Sequence, residues 1–277
     1  MLRLWSLRSD GHRDSGRPDG WNVAAPHGAS VSSKRPDPGR VAVPVVQRLH
    51  IRYAKHGRMR FASHRDFQRS LERALRRAQV PVAMSAGFSP HPRISYANSA
   101  PTGSSSHAEY LEVALTEPRD PEKVLADVSA ALPEGFDLVR VVVATDRELA
   151  TRLEASVWQI ELPETSATEL ETAVSAFLAA DEIIVGRMMK DGLRRFDARG
   201  AVRHIEVQTH ETDSSCAILR AVVQHQAPAV RPDDLLTALR EHSGVSQAVP
   251  PRVTRLAQGP LSSDARSVHD PLATATA

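Results

Sequence analysis

Hydrophobic residues recur at every second position in some stretches of this chain and at three- or four-residue spacing in others. The first pattern is typical of half-buried strands and the second of amphipathic helices. In the first half, the patterns predict strands at residues 45–53, 94–97, 110–115 and 136–144, and helices at 64–79 and 121–132. In the second half, they predict strands at 156–162, 183–189, 202–209, 217–224 and 252–256, and helices at 166–180 and 231–242. A hairpin turn at residues 55–58 is expected to lead into extended residues 59–61.

The order of these elements predicts the fold class. The first half reads as strand, helix, two strands, helix and strand, which is the ferredoxin-like arrangement. The second half repeats this order with one additional strand between its helices. We therefore predict an α+β protein with two ferredoxin-like (βαββαβ) domains in tandem, at residues 45–148 and 149–257. The segments 1–44 and 258–277 lack apolar periodicity and contain many Gly, Pro and Ser residues. Such segments bury too little apolar surface to offset the entropy of ordering them, so we predict two disordered tails.

Composition excludes several classes of protein. No run of 18 apolar residues is present, which excludes a membrane-spanning helix. The basic first residues lack the apolar core of a secretory signal, and we expect a cytoplasmic protein with no membrane partner. Cys216 is the only cysteine, so the chain cannot form an internal disulfide or hold zinc or an iron–sulfur cluster by cysteines of its own. We predict neither a metal site nor a cofactor.

The predicted helix at residues 64–79 has two chemically different sides. Ser63 is suited to cap it, with Asp66 in the position of a capping-box acid. On a helical wheel, one side carries the apolar residues Phe67, Leu71, Ala74, Leu75 and Ala78. The opposite side carries Arg65, Arg69, Arg73, Arg76 and Arg77. Because guanidinium groups match the geometry of phosphates, this side predicts anion binding, and an ordinary solvated polar face is the alternative.

The distribution of charge supports the first of these interpretations. The whole chain has a net charge of only +2, but residues 48–93 contain eleven Lys or Arg against two acidic residues. Such asymmetry predicts one basic face that meets an anionic partner.

A proline-containing segment at residues 85–95 carries a second group of candidate residues. Two prolines flank His91 and restrict the backbone, while Gly87 permits a tight turn. Phe88, His91 and Arg93 offer a stacking surface, a titratable group and a cation, which suits a nucleobase with its phosphate. The alternative is a rigid connector in which Phe88 fills the core.

A third candidate segment lies at residues 101–110. Gly103, Ser104 and Ser105 have small side chains, and their backbone N–H groups are suited to cradle an anion. The segment lacks the lysine and the strand-to-helix context of a phosphate-binding P-loop, and a flexible turn is the alternative. Glu109 follows at a strand start, where it could pair with an arginine of the helix.

Histidines raise two further hypotheses. His64 and His91 are candidates for a general acid and base acting on RNA. Together with His107 they could also gather as metal ligands, but their spacing matches no short zinc motif.

These segments together resemble a known family. The series 61–66, 73–78 and 85–92, followed by Gly103 and by Glu109 with Tyr110, is similar to the radical SAM-linked family, a bacterial domain of unknown function. The resemblance is strong over about residues 47–116 and weaker to about residue 256. It implies a protein that is fused to a radical SAM enzyme or encoded beside one. Where this chain has Arg65, the family commonly has leucine, which adds a charge at the start of the helix here.

The resemblance implies a partner and leaves the chemistry open. A radical SAM enzyme needs three clustered cysteines, so a separate partner would have to supply that reaction. The first hypothesis is therefore an accessory protein that binds RNA, or another anionic substrate, for a radical SAM enzyme. The second is a metal-independent RNA-processing enzyme that uses His64 or His91. The third is a protein–protein adaptor whose basic face meets an acidic patch on the radical SAM subunit.

Overall fold

A computed structural model describes residues 43–209, 213, 215–245 and 249–273. Its strands are β1 Gln47–Lys55, β2 Ile94–Ala97, β3 Ser105–Leu115, β4 Phe136–Val143, β5 Ala155–Leu162, β6 Ile184–Met189, β7 Gly192–Asp197, β8 Val202–Thr209, β9 Ala217–Gln224 and β10 Arg252–Gly259. Its helices are α1 His64–Arg77, α2 Pro121–Ser129, α3 Leu149–Arg152, α4 Ala167–Ala179 and α5 Pro232–Ser243. A 3-10 helix spans Gly57–Phe61. The predicted α+β class is therefore confirmed, while the predicted tail at 1–44 lies outside the described residues except for its last two.

One large mixed sheet organises the described part of the chain. Its strand order is β4-β1-β3-β10-β5-β9-β8, and β2 pairs with β3 away from this path. Ser105 and Ser106 of β3 pair in parallel with Thr254 and Arg255 of β10. The other strand pairs of this sheet are antiparallel. All of the described strands except β6 and β7 thus belong to a single sheet that is continuous across the β3–β10 pair.

Each half of the sheet repeats one strand order. In the first half the spatial order is β4, β1, β3 and β2. In the second half it is β10, β5, β9 and β8, and a separate hairpin of β6 and β7 is inserted after α4. The helices follow the same scheme, because α1 and α4 come after the first strand of each half and α2 and α5 come before the last.

Two hydrophobic clusters hold the helices against the sheet. The first joins Leu49 and Ile51 of β1 to Leu71 of α1 and Val128 of α2. The second joins β5 and β9 to α4 and α5 and contains Leu170, Phe177 and Leu235. Full burial of one such side chain contributes about 1.5–3 kcal/mol. The first cluster therefore fixes the orientation of α1 relative to the sheet.

Residues 55–61 differ from the prediction of a hairpin followed by extended chain. The chain turns at Gly57, where φ is +54°, and continues as the 3-10 helix. The N–H of Met59 donates to the carbonyl of His56, and the N–H of Ala62 donates to that of Met59, each at 3.0 Å. The chain does turn within residues 55–58, as predicted, but the following residues form local hydrogen bonds instead of joining the sheet.

The C-terminal tail also differs from its prediction. Gln258 and Gly259 are the last residues of β10, and Leu261 forms an isolated bridge with Val268. Leu272 is buried beside Leu149 and Leu153, and Asp270 forms an ion pair with Arg140 at 2.7 Å. The prediction of disorder is therefore wrong for residues 258–273, because a few spaced apolar and acidic side chains anchor the segment to the sheet. Residues 274–277 lie outside the described part.

Candidate functional site

Helix α1 begins at the predicted cap. The side chain of Ser63 accepts a hydrogen bond from the backbone N–H of Asp66 at 3.2 Å. The Asp66 carboxylate accepts in return from the backbone N–H of Ser63 at 3.2 Å and from its hydroxyl at 2.7 Å. These hydrogen bonds lower the pKa of Asp66. The capping box is therefore confirmed, and it uses the Asp66 carboxylate at the helix start.

The apolar side of α1 packs as the periodicity predicts. Phe67, Leu71, Ala74 and Leu75 are buried, and Ala78 is partly buried. The ring of Phe67 stacks on Tyr53 of β1 with centroids 4.0 Å apart. This packing determines which side of α1 faces the solvent.

The opposite side of α1 carries the arginine face, which we define as Arg65, Arg69, Arg73, Arg76 and Arg77. All five residues are exposed. Among the residues that the structure describes, none of the five forms an ion pair with a carboxylate. Arg73 donates to the Ser70 hydroxyl at 3.2 Å, and Arg76 donates to the backbone carbonyl of Glu72 at 3.4 Å. Within the described part of the chain, most of the guanidinium N–H groups of the arginine face therefore have no hydrogen-bond acceptor and are suited to an external anion.

The proline loop, defined as residues 84–92, is closed by its own hydrogen bonds. Met84 and Pro92 form a bridge at its base. The N–H of Ser85 donates to the carbonyl of His91 at 2.9 Å. The Ser85 hydroxyl lies 2.9 Å from Nδ1 of His91 and accepts from its backbone N–H at 3.1 Å. His91 therefore closes the loop, a role that the sequence did not reveal.

Phe88 and Arg93 are both on the surface. Phe88 is 72% exposed, so the alternative in which it fills the core is wrong. Arg93 is exposed and follows the loop, where its backbone pairs with Ala83 and Ala114. The structure thus presents one aromatic ring within a closed loop and one cation at its base.

A groove separates the proline loop from the second half of α1. Glu72, Leu75 and Arg76 line it from the helix. Val80, Val82, Met84, Pro90 and Pro92 line it from the segment that follows. The groove has a volume of about 320 Å³. The structure therefore brings the predicted loop beside the arginine face at Arg76.

The segment at Gly103–Ser105 is not the open anion cradle that the sequence predicted. The N–H of Gly103 donates to the carbonyl of Arg60 at 2.8 Å, and the N–H of Ser104 donates to that of Pro101 at 3.2 Å. Ser104 is buried, and Ser105 already belongs to β3, where it pairs with Thr254. The alternative of a flexible turn is also wrong from Ser105 onward. Internal pairing explains both corrections, because the N–H groups of Gly103 and Ser104 are already satisfied.

Glu109 pairs with Arg255 of β10, and not with an arginine of α1 as predicted. Both side chains are almost fully buried, with 1% and 3% of their surface exposed. Arg255 also donates to the carbonyl of Asn98 at 2.7 Å and to the Ser106 hydroxyl at 3.3 Å. Nearby, Lys55 donates to the carbonyls of Ala100 and Pro101 at 3.0 Å, and burial lowers its pKa. This buried cluster was invisible to sequence reasoning because Arg255 lies 146 residues from Glu109.

His64 lies at the other end of α1 from the groove. It lines a small cavity together with Lys55 and Glu109. Its Nδ1 lies 3.2 Å from the Ser99 hydroxyl and its Nε2 lies 3.0 Å from the Gln68 amide nitrogen. Burial lowers the pKa of His64. His91 is held in the proline loop, so the two histidines occupy different sites.

Two further findings concern the described residues as a set. Within them, no group of three or more His, Cys, Asp or Glu side chains is placed to hold a metal ion. Of the helices that the structure describes, none combines the length and the apolar character needed to cross a bilayer.

Comparison with known proteins identifies one family. Residues 48–232 match the model of a family described as an uncharacterized protein conserved in bacteria (DUF2344). The match covers more than half of the chain and includes α1, the proline loop and the groove. No curated protein matches the chain significantly.

Proposed function

We propose that this chain, which belongs to the family of uncharacterized proteins conserved in bacteria (DUF2344), binds RNA through the arginine face as an accessory protein. Its partner in this proposal is a separately encoded radical SAM enzyme. One observation carries the RNA-binding proposal: five exposed arginines share one side of α1, and none is neutralised by a carboxylate of the described residues. The choice of partner rests on the resemblance of the motifs at residues 61–66, 73–78 and 85–92 to the radical SAM-linked family.

The chemistry of the arginine face favours a polyanion over a single small anion. The five residues lie on one side of the helix between Arg65 and Arg77. Their guanidinium groups therefore extend along about three helical turns. Phosphates spaced along a nucleic acid strand engage such a row, and each guanidinium is able to donate two parallel hydrogen bonds. Exposed aromatic rings lie nearby, with Phe61 just before α1 and Phe88 in the proline loop. Cations interspersed with aromatic rings are typical of proteins that bind single-stranded nucleic acid.

We further propose that each half of the sheet is a ferredoxin-like unit. The support is the spatial order of its four strands, with the first strand between the fourth and the third. In this interpretation the first unit carries the arginine face on its first helix.

RNA binding is testable by charge reversal. The double variant Arg73→Glu/Arg76→Glu should bind a short single-stranded RNA at least tenfold more weakly than the parent chain at low salt. Because two phosphate contacts are lost, the slope of log affinity against log salt concentration should become shallower by about 1.5. Fluorescence anisotropy measures both quantities, and Arg194→Glu/Arg195→Glu on the exposed strand β7 is the control with an equal change in charge.

Equal losses in the two double variants would contradict the proposal, because they would reflect net charge alone. Failure of the parent chain to bind any RNA at low salt would also contradict it.

A protein–protein adaptor is the second candidate function. The observation that favours it is Phe61, which is 60% exposed beside the guanidinium of Arg60, because exposed aromatic and arginine residues are enriched in protein interfaces. Co-purification with the radical SAM enzyme that survives nuclease treatment and fails after Arg73→Glu/Arg76→Glu would support the adaptor. The geometry supports an RNA-processing enzyme less well, because His64 and His91 occupy different sites and each is already hydrogen bonded.

A further inference from the structure

Backbone hydrogen bonds hold the walls of the groove beside α1. The N–H of Val80 donates to the carbonyl of Leu75 at 3.0 Å, which fixes the chain as it leaves the helix. Backbone hydrogen bonds from Ala83 to Ala114 and from Arg93 to Ala83 then hold the far wall, each at 2.8 Å. The hydrogen bonds between Ser85 and His91 close the proline loop. The binding of a ligand would therefore carry little entropic cost for ordering these walls.

The lining of the groove is mostly apolar. Leu75, Val80, Val82, Met84, Pro90 and Pro92 supply the walls, and Met84 is 44% exposed to solvent. The volume of about 320 Å³ is at the lower end of the range, about 300–1,000 Å³, of pockets that hold small ligands. A flat heterocycle is therefore of suitable size and polarity for this space.

The rim of the groove carries two opposite charges. Arg76 belongs to the arginine face, and Arg73 and Arg77 lie within one turn of it. Glu72 also lines the groove, and among the described residues its carboxylate forms no ion pair. A ligand that satisfies both charges needs an anionic group and, a short distance away, a hydrogen-bond donor.

A nucleotide with an amino group on its base meets each of these requirements. Its phosphate would bind Arg76 and its neighbours, its base would enter the apolar groove, and an exocyclic amino group would donate to Glu72. Carboxylate side chains accept in this way from the N4 amino group of cytosine. Only an unstacked base presents its faces and its base-pairing edge to such a groove. In a duplex, the faces are stacked on neighbouring bases and the edge is paired.

We infer that the groove between α1 and the proline loop binds an unstacked base of single-stranded RNA, and that Glu72 selects a base with an exocyclic amino group. This inference rests on the proposed RNA-binding function and adds the strandedness and base preference of the ligand. Met84 and the prolines provide the contact surface in this assignment, and Glu72 provides the selectivity.

Three oligonucleotides of equal length and phosphate number test the inference with the full chain. They are oligocytidine, oligouridine and an abasic oligomer, and their affinities are measured by fluorescence anisotropy at low salt. Oligocytidine should bind at least roughly tenfold more tightly than oligouridine, as expected for one hydrogen bond to a charged group. Oligouridine should in turn bind more tightly than the abasic oligomer, because its base also enters the groove.

Two variants assign these differences to residues. Glu72→Met should abolish the preference for cytidine over uridine. The loss of a negative charge beside the arginine face should strengthen the binding of all three probes. Met84→Ser should weaken both base-bearing probes and leave the abasic probe unchanged. Circular dichroism establishes that both variants are folded.

The outcomes separate this inference from the function on which it rests. If no probe binds the parent chain, the proposed RNA-binding function fails. If all three bind equally, or if a duplex of the same length binds more tightly than the single strands, RNA binding stands and the groove assignment is overturned. If the preference for cytidine persists in Glu72→Met, the role of Glu72 is overturned.

Discussion

Replacing Arg255 with methionine is expected to destabilise the protein strongly. No more than 3% of the Arg255 or Glu109 side chain is exposed to solvent. The substitution therefore leaves a buried Glu109 carboxylate without its principal countercharge. Removing one partner of a buried ion pair typically costs about 3–5 kcal/mol. Glu109 keeps a hydrogen bond from the N–H of Ala100 at 3.1 Å and the nearby charge of Lys55. We therefore expect a loss near the lower end, about 3 kcal/mol.

A matched substitution on the same strand provides the control. Arg252 pairs with Glu161 at 2.9 Å, but the two side chains are 55% and 21% exposed. Exposed ion pairs contribute about 0–1 kcal/mol, so Arg252→Met should change the free energy of unfolding by no more than this. Methionine has an apolar chain of similar length to the aliphatic part of arginine. Both variants therefore lose mainly the charged group, and the comparison reports on that loss.

Urea unfolding followed by far-UV circular dichroism measures the two losses. Two further variants complete a double-mutant cycle, Glu109→Gln and Arg255→Met/Glu109→Gln. The double variant removes both charges and should be less unstable than the sum of Arg255→Met and Glu109→Gln by at least about 1 kcal/mol. A loss of less than about 1 kcal/mol for Arg255→Met, as expected for Arg252→Met, would refute a stabilising role for the buried charge. Strict additivity in the double variant would refute the ion-pair explanation in particular.

Three further predictions concern the cap, the proline loop and the response to pH. Ser63→Ala should lower the free energy of unfolding by about 1 kcal/mol through loss of the capping box, while RNA affinity measured by anisotropy stays within twofold. Phe88→Ala should leave unfolding by urea unchanged, because the ring is 72% exposed, but should weaken single-stranded RNA binding by at least fivefold through lost stacking. Burial lowers the pKa of His50 and His225 below the ordinary value of about 6.5. The unfolded chain therefore binds protons that the folded chain excludes, and stability should fall as the pH drops below about 6.5. In urea titrations at several pH values, His225→Asn should flatten this decline, and an unchanged slope would contradict the assignment.

The parts of the structure that depend on local pattern were predictable from the sequence. Helix α1 and the Ser63 cap follow from side chains within four positions of one another, since helical spacing and capping are local properties. The exposure of the arginine face follows for the same reason, because burial of Phe67 and Leu71 forces the opposite side into solvent. The Gly244 C-cap of α5, where φ is +75°, is a local signal of the same kind.

The features that depend on distant partners were not predictable. Strand β3 begins five residues earlier than its apolar alternation indicates, because Ser106 is buried against Arg255 from the far end of the chain. Several basic residues are closer to Glu109 in the sequence than Arg255 is. Arg255 becomes its ion-pair partner because β3 and β10 pair in parallel. The order of residues 258–273 has the same origin, since it depends on contacts with β4 and α3.

The position of β10 in the middle of the sheet has a consequence for synthesis on the ribosome. Strands β1 to β4 are able to pair as soon as they emerge, but β10 is translated after every other described strand and then inserts between β3 and β5. Until residue 259 has left the exit tunnel, two central strands present open edges, and open edges promote aggregation. A chain truncated before residue 250 would keep those edges permanently, so the nascent polypeptide passes through a stage at which chaperone protection matters most.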